Sequence, residues 1–488
     1  YRDHRDLHSS PTRRSSDLLW HHRLPSLSHP QPRPPPEASP PADLDLQAHW
    51  LRLGYVLIAI LLVARWGYLA SDRIELSEDE AYQWVWSKHL DLSYYSKPPM
   101  IAYTQFLGTA LWGDTGFGVR FFSPLIGATV SLLMLHFFAR NAQARLGFWL
   151  LGMASTTPLL AVGSTLMTID PLSVLFWTAA LVAGWQATHQ DRLAPWIWCG
   201  LWLGLGLLSK YVALFQWLSF ALFFILWPPA RQQLRRPGPY VALGVNLLFL
   251  LPILIWNIQH DWIGLTHLSE RGGLDRAWQP TLRYFAEFIG AEIGLLNPVY
   301  FLGLLAALIG ILKQTERKPL SLYLFSMGAP LLLLCLLFSL RSRVHPNWIA
   351  PAVIPLLALT VIYWTDRFRQ GATFVRPWFA TGIALGAIAV FLLHETDNVR
   401  SLTGLSLPAK WDPLRRVRGW ESTARHVNRA RDSLLAEGQP VFIIADHYGI
   451  AGLVSFYLPE AKRAVNSEPF VYCLAADRPK NQFHLWPG

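Results

Sequence analysis

Charged residues are scarce in this chain of 488 residues: they make up 15% of it, against roughly a quarter in soluble domains. Hydrophobic residues account for 52%, and apolar runs of about 16–22 residues recur between Gly54 and Leu393. Each run is close to the length that an α-helix needs to cross a bilayer. The composition therefore excludes an ordinary soluble domain and predicts a polytopic helical membrane protein.

Cysteine is also rare, because the chain contains only three. Two of them lie inside apolar segments and the third is alone near the end, so no disulfide framework or thiolate metal site is predicted. The histidines of the polar loops are too scattered for a metal-ligand pattern, and they are interpreted as solvated loop residues. A divalent metal has no support in the sequence, and we assign no cofactor. The residues in question are Cys199, Cys335, Cys473, His260, His267 and His345.

Acidic residues are fewer than basic ones, with 32 Asp and Glu against 42 Lys and Arg and a net charge of +10. In a membrane protein such an excess is typical of cytoplasmic loops. We therefore attribute the basic excess to loops beside a lipid bilayer, and we predict no binding of nucleic acid.

The amino terminus lacks the apolar core of a signal peptide. Residues 11–18 resemble a translated sequencing adapter, and residues 1–18 are interpreted as an artefact of that kind. Residues 24–41 are rich in proline, which is typical of a disordered segment. We therefore treat residues 1–50 as a disordered lead-in, residues 51–394 as the membrane domain and residues 395–488 as a separate domain.

About eleven segments are predicted to span the membrane. With a cytoplasmic amino terminus, the arginine and lysine clusters between them fall on the inner side, as the positive-inside rule requires. The apolar segment 99–112 is about 14 residues long, too short to cross, and is predicted to lie on the outer face. The predicted spans are 54–70, 119–139, 147–163, 171–187, 195–209, 211–228, 239–256, 298–312, 320–340, 346–364 and 377–393.

This topology places the polar segments between the spans on one face. The first outer loop, from Glu75 to Lys97, combines carboxylates, aromatic residues and a lysine. Asp170, Lys210 and the segment 341–347 fall on the same side. Charged groups are costly inside a bilayer, at about 2.5–3.5 kcal/mol each near its centre. Their clustering at one surface therefore predicts a site shared by several helix ends.

Purely structural roles explain some of these residues equally well. Ser77 and Glu80 fit a capping box at the start of a helix, with Ser77 as the N-cap. Asp170 followed by Pro171 fits another helix start, with the aspartate as N-cap. Lys210 fits a residue that marks the membrane interface. The same alternative holds for Arg341, and Trp84 and Trp86 fit an aromatic belt.

The first outer loop resembles that of the GT-C glycosyltransferases of the protein O-mannosyltransferase and lipid A aminoarabinose transferase type. The similarity rests on Asp79-Glu80-Ala81-Tyr82, on Tyr94-Tyr95-Ser96-Lys97-Pro98-Pro99 and on a short helix that follows. It continues through Thr168-Ile169-Asp170-Pro171, Leu208-Ser209-Lys210 and Val344-His345-Pro346-Asn347-Trp348. Members of this family take a sugar from a polyprenyl-phosphate carrier.

The resemblance implies roles for individual residues. The acidic pair corresponds to Asp79 and Glu80, the carrier-phosphate lysine to Lys97 and a second aspartate to Asp170. Lys210 matches a further basic position. The aminoarabinose enzymes have an acidic residue immediately before the lysine, whereas this chain has Ser96. That difference weakens any transfer of their metal site and leaves the acceptor open.

The chemistry of such a transfer requires the same residue types. Cations stabilise the charge that develops on the phosphate, and a carboxylate, for which we name Asp79, removes the proton of an acceptor hydroxyl. The catalytic candidates are therefore Asp79, Glu80 and Asp170. The candidates for substrate binding are Tyr82, Lys97, Lys210, Arg341, Arg343 and His345.

After the last span, helix and strand patterns alternate over shorter lengths. The pattern predicts a helix over 419–437, a buried strand over 440–446 and a second helix over 450–457. We predict an all-α membrane protein of GT-C type with a small extracytoplasmic α/β domain that is truncated at its end.

The predicted function is transfer of a hexosyl or pentosyl group from a polyprenyl-phosphate sugar to a lipid, glycan or protein acceptor. It would occur at the periplasmic face of a bacterial inner membrane. A transporter or flippase is the alternative, but it is typically built from inverted repeats, and no repeat relates the two halves. A non-catalytic scaffold would leave the combination of acids and bases in the loops unexplained.

Overall fold

The computed structural model describes residues 41–273, 279–314, 318–404, 408, 410 and 412–486. The predictions for residues 1–40 lie outside this part of the chain, whereas residues 41–50, predicted to be disordered, form the start of the first helix. The described residues form α1 Pro41–Ala70, α2 Glu78–Lys88, α3 Met100–Trp112, α4 Gly116–Arg120, α5 Phe122–Asn141, α6 Ala144–Ser155, α7 Pro158–Gly163, α8 Ile169–His189, α9 Ala194–Ser209, α10 Gln216–Leu226, α11 Gly238–Leu248, α12 Leu251–Gln259, α13 Ile263–Arg271, α14 Leu282–Leu295, α15 Pro298–Lys313, α16 Pro319–Ser339, α17 Ala350–Arg369, α18 Val375–His394, α19 Asp397–Thr403, α20 Trp420–Leu435, α21 Tyr448–Tyr457 and α22 Pro459–Ala464, with strands β1 Ile443–Ala445 and β2 Val471–Cys473. Short 3₁₀ helices cover Tyr211–Phe215, Pro228–Arg235, Pro346–Ile349, Pro413–Val417 and Gln482–Leu485.

Six of the described helical stretches are long and apolar enough to cross a membrane, and the number rises to eight if each of two bent pairs is one span. The six coincide with the predicted spans 54–70, 119–139, 239–256, 320–340, 346–364 and 377–393. The predicted spans 211–228 and 298–312 fall in the bent pairs, whose halves meet at 117° and 111°. The predicted helical membrane fold is confirmed.

The other three predicted spans are helical but do not meet the same criterion of length and hydropathy. The segment 147–163 is divided between α6 and α7 at a break around Thr157. The segment 195–209 corresponds to the 16-residue α9 and 171–187 to the 21-residue α8. Helices of the interior carry polar and small residues for packing, so a count from apolar runs gives only an upper limit.

The segment 99–112 forms α3, a helix of 13 residues. At 1.5 Å per residue it is about 20 Å long, shorter than the roughly 30 Å hydrocarbon core of a bilayer. One face is buried, around Ile101 and Gln105, whereas Phe106, Leu107 and Leu111 are exposed. This two-faced helix agrees with the prediction that the segment does not span.

The interior of the membrane domain is built around α17, in which every residue from Ala350 to Ile362 is buried. A helix that is apolar on all sides packs in the centre of a bundle. It contacts α8, α15 and α16, and the large core cluster includes Trp177 and Tyr323. The Tyr323 hydroxyl donates to the carbonyl of Leu181 at 2.6 Å, so its polar atom is satisfied within the apolar core.

The carboxy-terminal segment contains the elements predicted from the sequence. The predicted helices at 419–437 and 450–457 correspond to α20 and α21, and the predicted strand at 440–446 contains β1. The prediction that this strand is buried is wrong, because Phe442 and Ile444 are exposed in a sheet of only two strands. Strand β1 pairs with β2 in parallel, with Ile443 opposite Val471. Residues 45–488 form one compact unit. The division at residue 395 stays a prediction.

Helix α21 packs directly on α2, the first helix of the predicted active-site loop. The close packing of these two helices requires a glycine at position 452, because a Cβ atom on Gly452 would lie 2.8 Å from the backbone nitrogen of Tyr82. The Tyr82 hydroxyl also accepts a hydrogen bond from the backbone of Gln482 at 2.5 Å. The carboxy-terminal segment therefore covers one side of the predicted site.

Candidate active site

The start of α2 is fixed by the predicted capping box. Ser77 is the N-cap and accepts from the backbone of Glu80, whose side chain in turn accepts from the backbone of Ser77 at 3.0 Å. Glu80 is fully buried, and the Arg120 guanidinium donates to both of its oxygens at 2.7 Å. The backbone of Met167 donates to the same carboxylate at 2.9 Å. Glu80 therefore joins α2 to two other segments and holds the loop in place.

Asp79, the neighbour of Glu80, is exposed. Its carboxylate makes no hydrogen bond or ion pair with any residue that the structure describes. A carboxylate in the first turn of a helix is stabilised by the helix dipole. The two predicted catalytic acids therefore differ in role. The Glu80 carboxylate is occupied by structural hydrogen bonds, whereas the Asp79 carboxylate is available to a substrate.

Asp170 lies at the start of α8, but it is not the N-cap as predicted from the sequence. The cap is Thr168, whose side chain accepts from the backbone of Asp170 at 3.4 Å, and the helix begins at Ile169. The prediction is corrected by two residues because threonine also caps well. The Asp170 carboxylate is left to accept from Lys210 at 2.7 Å and from the Asn347 side chain at 2.6 Å.

Lys210 lies in the break between α9 and the 3₁₀ helix that follows, where it adopts an extended conformation. Its ammonium also lies 3.4 Å from the Asn347 carbonyl. Asp170, Lys210 and Asn347 therefore form one polar cluster from three separate helix ends. The three helix ends therefore lie together as expected, and the functional role of the cluster stays a prediction.

Lys97 lies just beyond this cluster and is the most strongly perturbed basic group of the loop. Its pKa is lowered to about 8, mainly by desolvation and then by the positive charges of Arg271 and Lys210, against the opposing effect of Asp79 and Asp170. No described residue forms a hydrogen bond or an ion pair with the ammonium. A desolvated lysine without a protein partner is typical of an anion-binding site.

His345 lies near the same charges. Its pKa is lowered, first by desolvation and then by Arg271, Arg343 and Lys97, while Asp79 opposes the shift. The ring is therefore neutral at pH 7, when it can donate one hydrogen bond and accept another. Among the described residues, Arg271 at the end of α13 has no hydrogen-bond or ion-pair partner, which makes it a second cation available to a ligand.

Three of the predicted substrate-binding residues have other partners in the structure. Tyr82 is buried between Trp86, Tyr448 and Phe483. Arg341 donates to the carbonyl of Gly273 at 2.5 Å. Arg343 is 74% exposed and lies 3.7 Å from Glu287. These contacts give the three residues structural or surface roles next to the polar cluster.

A cavity of about 450 Å³ reaches the site from the membrane domain. Its polar lining includes Ser77, Asp79, Asp170 and Asn347, and most of the remaining lining is aliphatic. Asp79 and Asp170 therefore face the same space. In the described part of the chain, no three His, Cys, Asp or Glu side chains lie close enough to hold a metal ion, so we derive no step through one.

Four functional candidates escaped the sequence analysis. Asn347 lies within the segment Val344–Trp348 on which the family resemblance partly rests. That position was the available signal that its side-chain amide belongs to the site. Arg120 and Arg65 lie in or beside apolar spans, where an isolated charge signals a specific partner or ligand. Arg271 is one of several basic residues in a long loop, and only the fold places it beside Lys97.

The chain is similar in sequence to known glycosyltransferases. Residues 96–256 match the family described as dolichyl-phosphate-mannose-protein mannosyltransferase. Over 332 residues the chain is 29% identical to the lipid A galacturonosyltransferase RgtD of Rhizobium johnstonii. This alignment covers 66% of this chain and 68% of the relative. It is also 24% identical over 395 residues to an undecaprenyl phosphate-alpha-4-amino-4-deoxy-L-arabinose arabinosyl transferase of Proteus mirabilis, covering 74% and 68% of the two chains.

The fold is similar to solved structures of the same type. The structure of ArnT from Cupriavidus metallidurans bound to undecaprenyl phosphate superposes with a TM-score of 0.56 at 16% identity, covering 85% of this chain and 76% of that one. The archaeal oligosaccharyltransferase AglB from Archaeoglobus fulgidus gives a TM-score of 0.50 at 12% identity, covering 85% and 64%. The resemblance predicted from the first outer loop is confirmed.

Proposed function

We infer that this protein is a GT-C type glycosyltransferase that transfers a sugar from a polyprenyl-phosphate carrier to an acceptor of the cell envelope. One observation carries the inference. Asp79 and Asp170 face a cavity beside Lys97 and Arg271, and neither Asp79 nor the two cations has a partner among the described residues. Unpaired groups of opposite sign that lie near one another beside a cavity are suited to a substrate that carries both a phosphate and a hydroxyl.

The donor phosphate binds at Lys97 and Arg271. Both cations are positioned to neutralise the negative charge that grows on the phosphate as the bond to the sugar breaks. Asp170 and Asn347 hold Lys210 at the edge of this site, with the ammonium 2.7 Å from the Asp170 carboxylate. The two charges neutralise each other until a ligand competes for the ammonium. The phosphate is a good leaving group once it is paired in this way.

Asp79 acts on the acceptor. As the acceptor oxygen attacks the anomeric carbon, its proton passes to the Asp79 carboxylate. The bond between that carbon and the phosphate oxygen breaks, and its electron pair stays with the polyprenyl phosphate. Attack from the side opposite to the leaving group inverts the anomeric centre.

An envelope glycolipid is the acceptor that the relatives favour. RgtD is named for lipid A, and the chain covers 68% of it. The mostly aliphatic cavity beside Asp79 suits the acyl chains of such a lipid better than it suits a peptide. The sugar is a hexosyl or pentosyl group, since the relatives are named for galacturonic acid and for an aminoarabinose.

Deletion of the gene in its host, followed by mass spectrometry of envelope lipids, glycans and glycoproteins, tests this function. Loss of one sugar from a glycolipid, restored by the wild-type gene and not by a catalytic variant, is the expected result. Loss from proteins would instead identify a protein acceptor. Accumulation of an untransported lipid, with every glycosidic linkage intact, would overturn the assignment in favour of a flippase.

We further propose that the site faces the periplasm and the amino terminus faces the cytoplasm. In a Cys473→Ser background, single cysteines at the exposed positions Leu90 and Ala430 are expected to react with an impermeant maleimide added to intact spheroplasts. A cysteine at the exposed Gln232 should react only after lysis. Labelling of position 232 in intact spheroplasts would refute this orientation.

Lys97→Ala is expected to weaken binding of the donor about 10- to 100-fold, which corresponds to loss of one charge-assisted contact of about 1.5–3 kcal/mol. The affinity of the wild type should also fall as the pH rises through about 8, because its ammonium then loses the proton. Nearby His345, whose pKa is lowered, is already neutral at this pH. Titration of a polyprenyl-phosphate analogue between pH 6.5 and 9.5 measures both effects.

Two variants control this experiment. Lys97→Arg keeps its charge over the whole range and should remove the pH dependence near 8. Lys480→Ala removes an exposed lysine and should leave affinity unchanged. An unchanged affinity in Lys97→Ala would show that the phosphate binds elsewhere.

A further inference from the structure

Arg65 is an arginine without a partner in the interior of the membrane domain. It lies on α1, within the span Leu44–Ala70, and its side chain lines the same cavity as Asp79 and Asp170. No described residue accepts a hydrogen bond from it or forms an ion pair with it. The internal cations Arg120 and Lys210, in contrast, are paired with Glu80 and Asp170. Arg65 differs from these two cations because no described residue forms an ion pair with it.

The energetic cost of this arrangement argues for a ligand. Removing an arginine from water without a counter-charge is strongly unfavourable, and such residues in membrane segments usually mark a substrate path. An anion delivered with a lipid would provide the missing charge and up to two parallel hydrogen bonds. No described residue of the protein supplies a counter-charge or a hydrogen-bond acceptor to the Arg65 guanidinium.

The surroundings of Arg65 leave space for the guanidinium. A Cβ atom on Gly127 would lie 3.3 Å from the Arg65 Nη1 and 2.9 Å from the Ser164 hydroxyl oxygen, so glycine keeps this corner open. Ser164 donates to the Leu160 carbonyl at 2.7 Å, which leaves its oxygen able to accept. The cavity beyond is lined by aliphatic side chains of the bundle, including Leu61, Leu159 and Leu393. A cation at one end of an aliphatic space matches an anionic lipid.

The carrier phosphate is not the anion that this position suits. Its proposed ligands, Lys97 and Arg271, are absent from the described lining of the cavity, as is Lys210. Asp79 and Asp170 lie on the cavity wall, and both interact with Lys97 electrostatically. The two carboxylates therefore line the space that contains Arg65, and they are also close enough to Lys97 to interact with it electrostatically. A substrate in that space approaches Asp79, the base, from the acceptor side.

We propose that Arg65 binds an anionic group, a phosphate or a carboxylate, of the acceptor lipid and thereby makes the enzyme selective for anionic glycolipids. The inference rests on the proposed function and names the acceptor class for the same site. Arg65 does not contact the reacting atoms. It is a positioning residue that anchors the acceptor while the acceptor hydroxyl reaches Asp79.

The kinetic test compares lipid A that carries its phosphates with the same lipid after enzymatic removal of the phosphates. Using protein in nanodiscs, Arg65→Gln is expected to raise the KM for phosphorylated lipid A about 10- to 100-fold, as for loss of a charge-assisted contact. The KM for the donor should stay unchanged, and the dephosphorylated lipid should be an equally poor substrate for both proteins. Arg65→Lys should recover part of the affinity because it keeps the charge.

Arg52→Gln is the matched control. Arg52 is an exposed arginine on the same helix, 13 residues before Arg65, and its replacement should leave both KM values unchanged. A rise in the donor KM in Arg65→Gln would assign the residue to the donor and overturn the proposal. An equal loss with both forms of lipid A would also overturn it, because the anionic group would then play no part.

A binding measurement separates this inference from the proposed function. In native mass spectrometry the wild type and Arg52→Gln should retain phosphorylated lipid A, whereas Arg65→Gln should lose it, even if no sugar is transferred. Displacement of lipid A by an equal concentration of phosphatidylglycerol would instead show a general anionic-lipid site and overturn the acceptor assignment.

Thermal unfolding without added lipid supplies a second readout. A structural arginine would make Arg65→Gln less stable, whereas removal of an uncompensated charge should leave the Tm equal or higher. A clear fall in Tm, together with unchanged lipid binding, would overturn the proposal.

Discussion

Replacing Asp79 by asparagine is expected to lower the rate of sugar transfer to a hydroxyl acceptor by about 10²–10⁴-fold, the usual contribution of a positioned general base. Asparagine has the same shape but cannot accept the proton. Because the Asp79 carboxylate forms no hydrogen bond or ion pair with a described residue, its replacement removes none of the interactions of either kind that the structure describes. Single-turnover transfer of a labelled sugar measures the effect, and donor binding and thermal stability should stay close to those of the wild type.

Asp72→Asn is the matched control, since Asp72 is exposed and its backbone has φ 51°, a conformation that asparagine tolerates well. It should transfer sugar at the rate of the wild type. Near-normal turnover in Asp79→Asn with a hydroxyl acceptor would show that Asp79 is not the base. A phosphate acceptor is already ionised, so the loss with such an acceptor should be much smaller.

Replacing Arg120 by methionine is expected to destabilise the protein by about 3–5 kcal/mol, the usual cost of leaving a buried charge without its partner. The variant would strand the Glu80 carboxylate, which is fully buried and accepts two hydrogen bonds of 2.7 Å from Arg120. Thermal unfolding in detergent or nanodiscs measures the loss. The exposed pair Arg283 and Glu287 supplies the control, because Arg283→Ala should change stability little.

The double variant with Glu80→Gln and Arg120→Met removes both charges at once. It should be more stable than Arg120→Met alone, since no buried charge is then left unpaired. A single variant as stable as the wild type, or a double variant no better than the single one, would show that the pair does not support the loop.

The same pair has a defined pH dependence. Burial raises the pKa of Glu80, but the charge and hydrogen bonds of Arg120 and the backbone donors of Ser77 and Met167 outweigh it, and the pKa is lowered from its ordinary 4.5. The stabilisation is therefore fully present above pH 4.5 and is lost as the pH falls through the lower folded value. Glu80→Gln lacks this acid-sensitive component.

Some of this site follows from short stretches of sequence. The Ser77 capping box was predicted correctly because both partners lie within one helical turn. The sequence also singled out Asp79 and Glu80 as an acidic pair, but no local pattern distinguishes them. Only packing decides that Glu80 points towards Arg120, 40 residues away, while Asp79 points towards the cavity. The sequence also misplaced the N-cap of α8, because Thr168 and Asp170 are both good caps.

The sequence by itself determined that the chain is a helical membrane protein and that its first outer loop resembles that of GT-C enzymes. Hydropathy and helix capping depend on residues that are neighbours in the chain, so both can be predicted from the sequence. Tertiary structure alone decided which charges are paired and which are free. Asp170 meets Asn347 across 177 residues, while Lys97 and Arg65 meet no described partner. Desolvation and Coulomb energy depend on distance in space, and that distance exists only after the helices have packed.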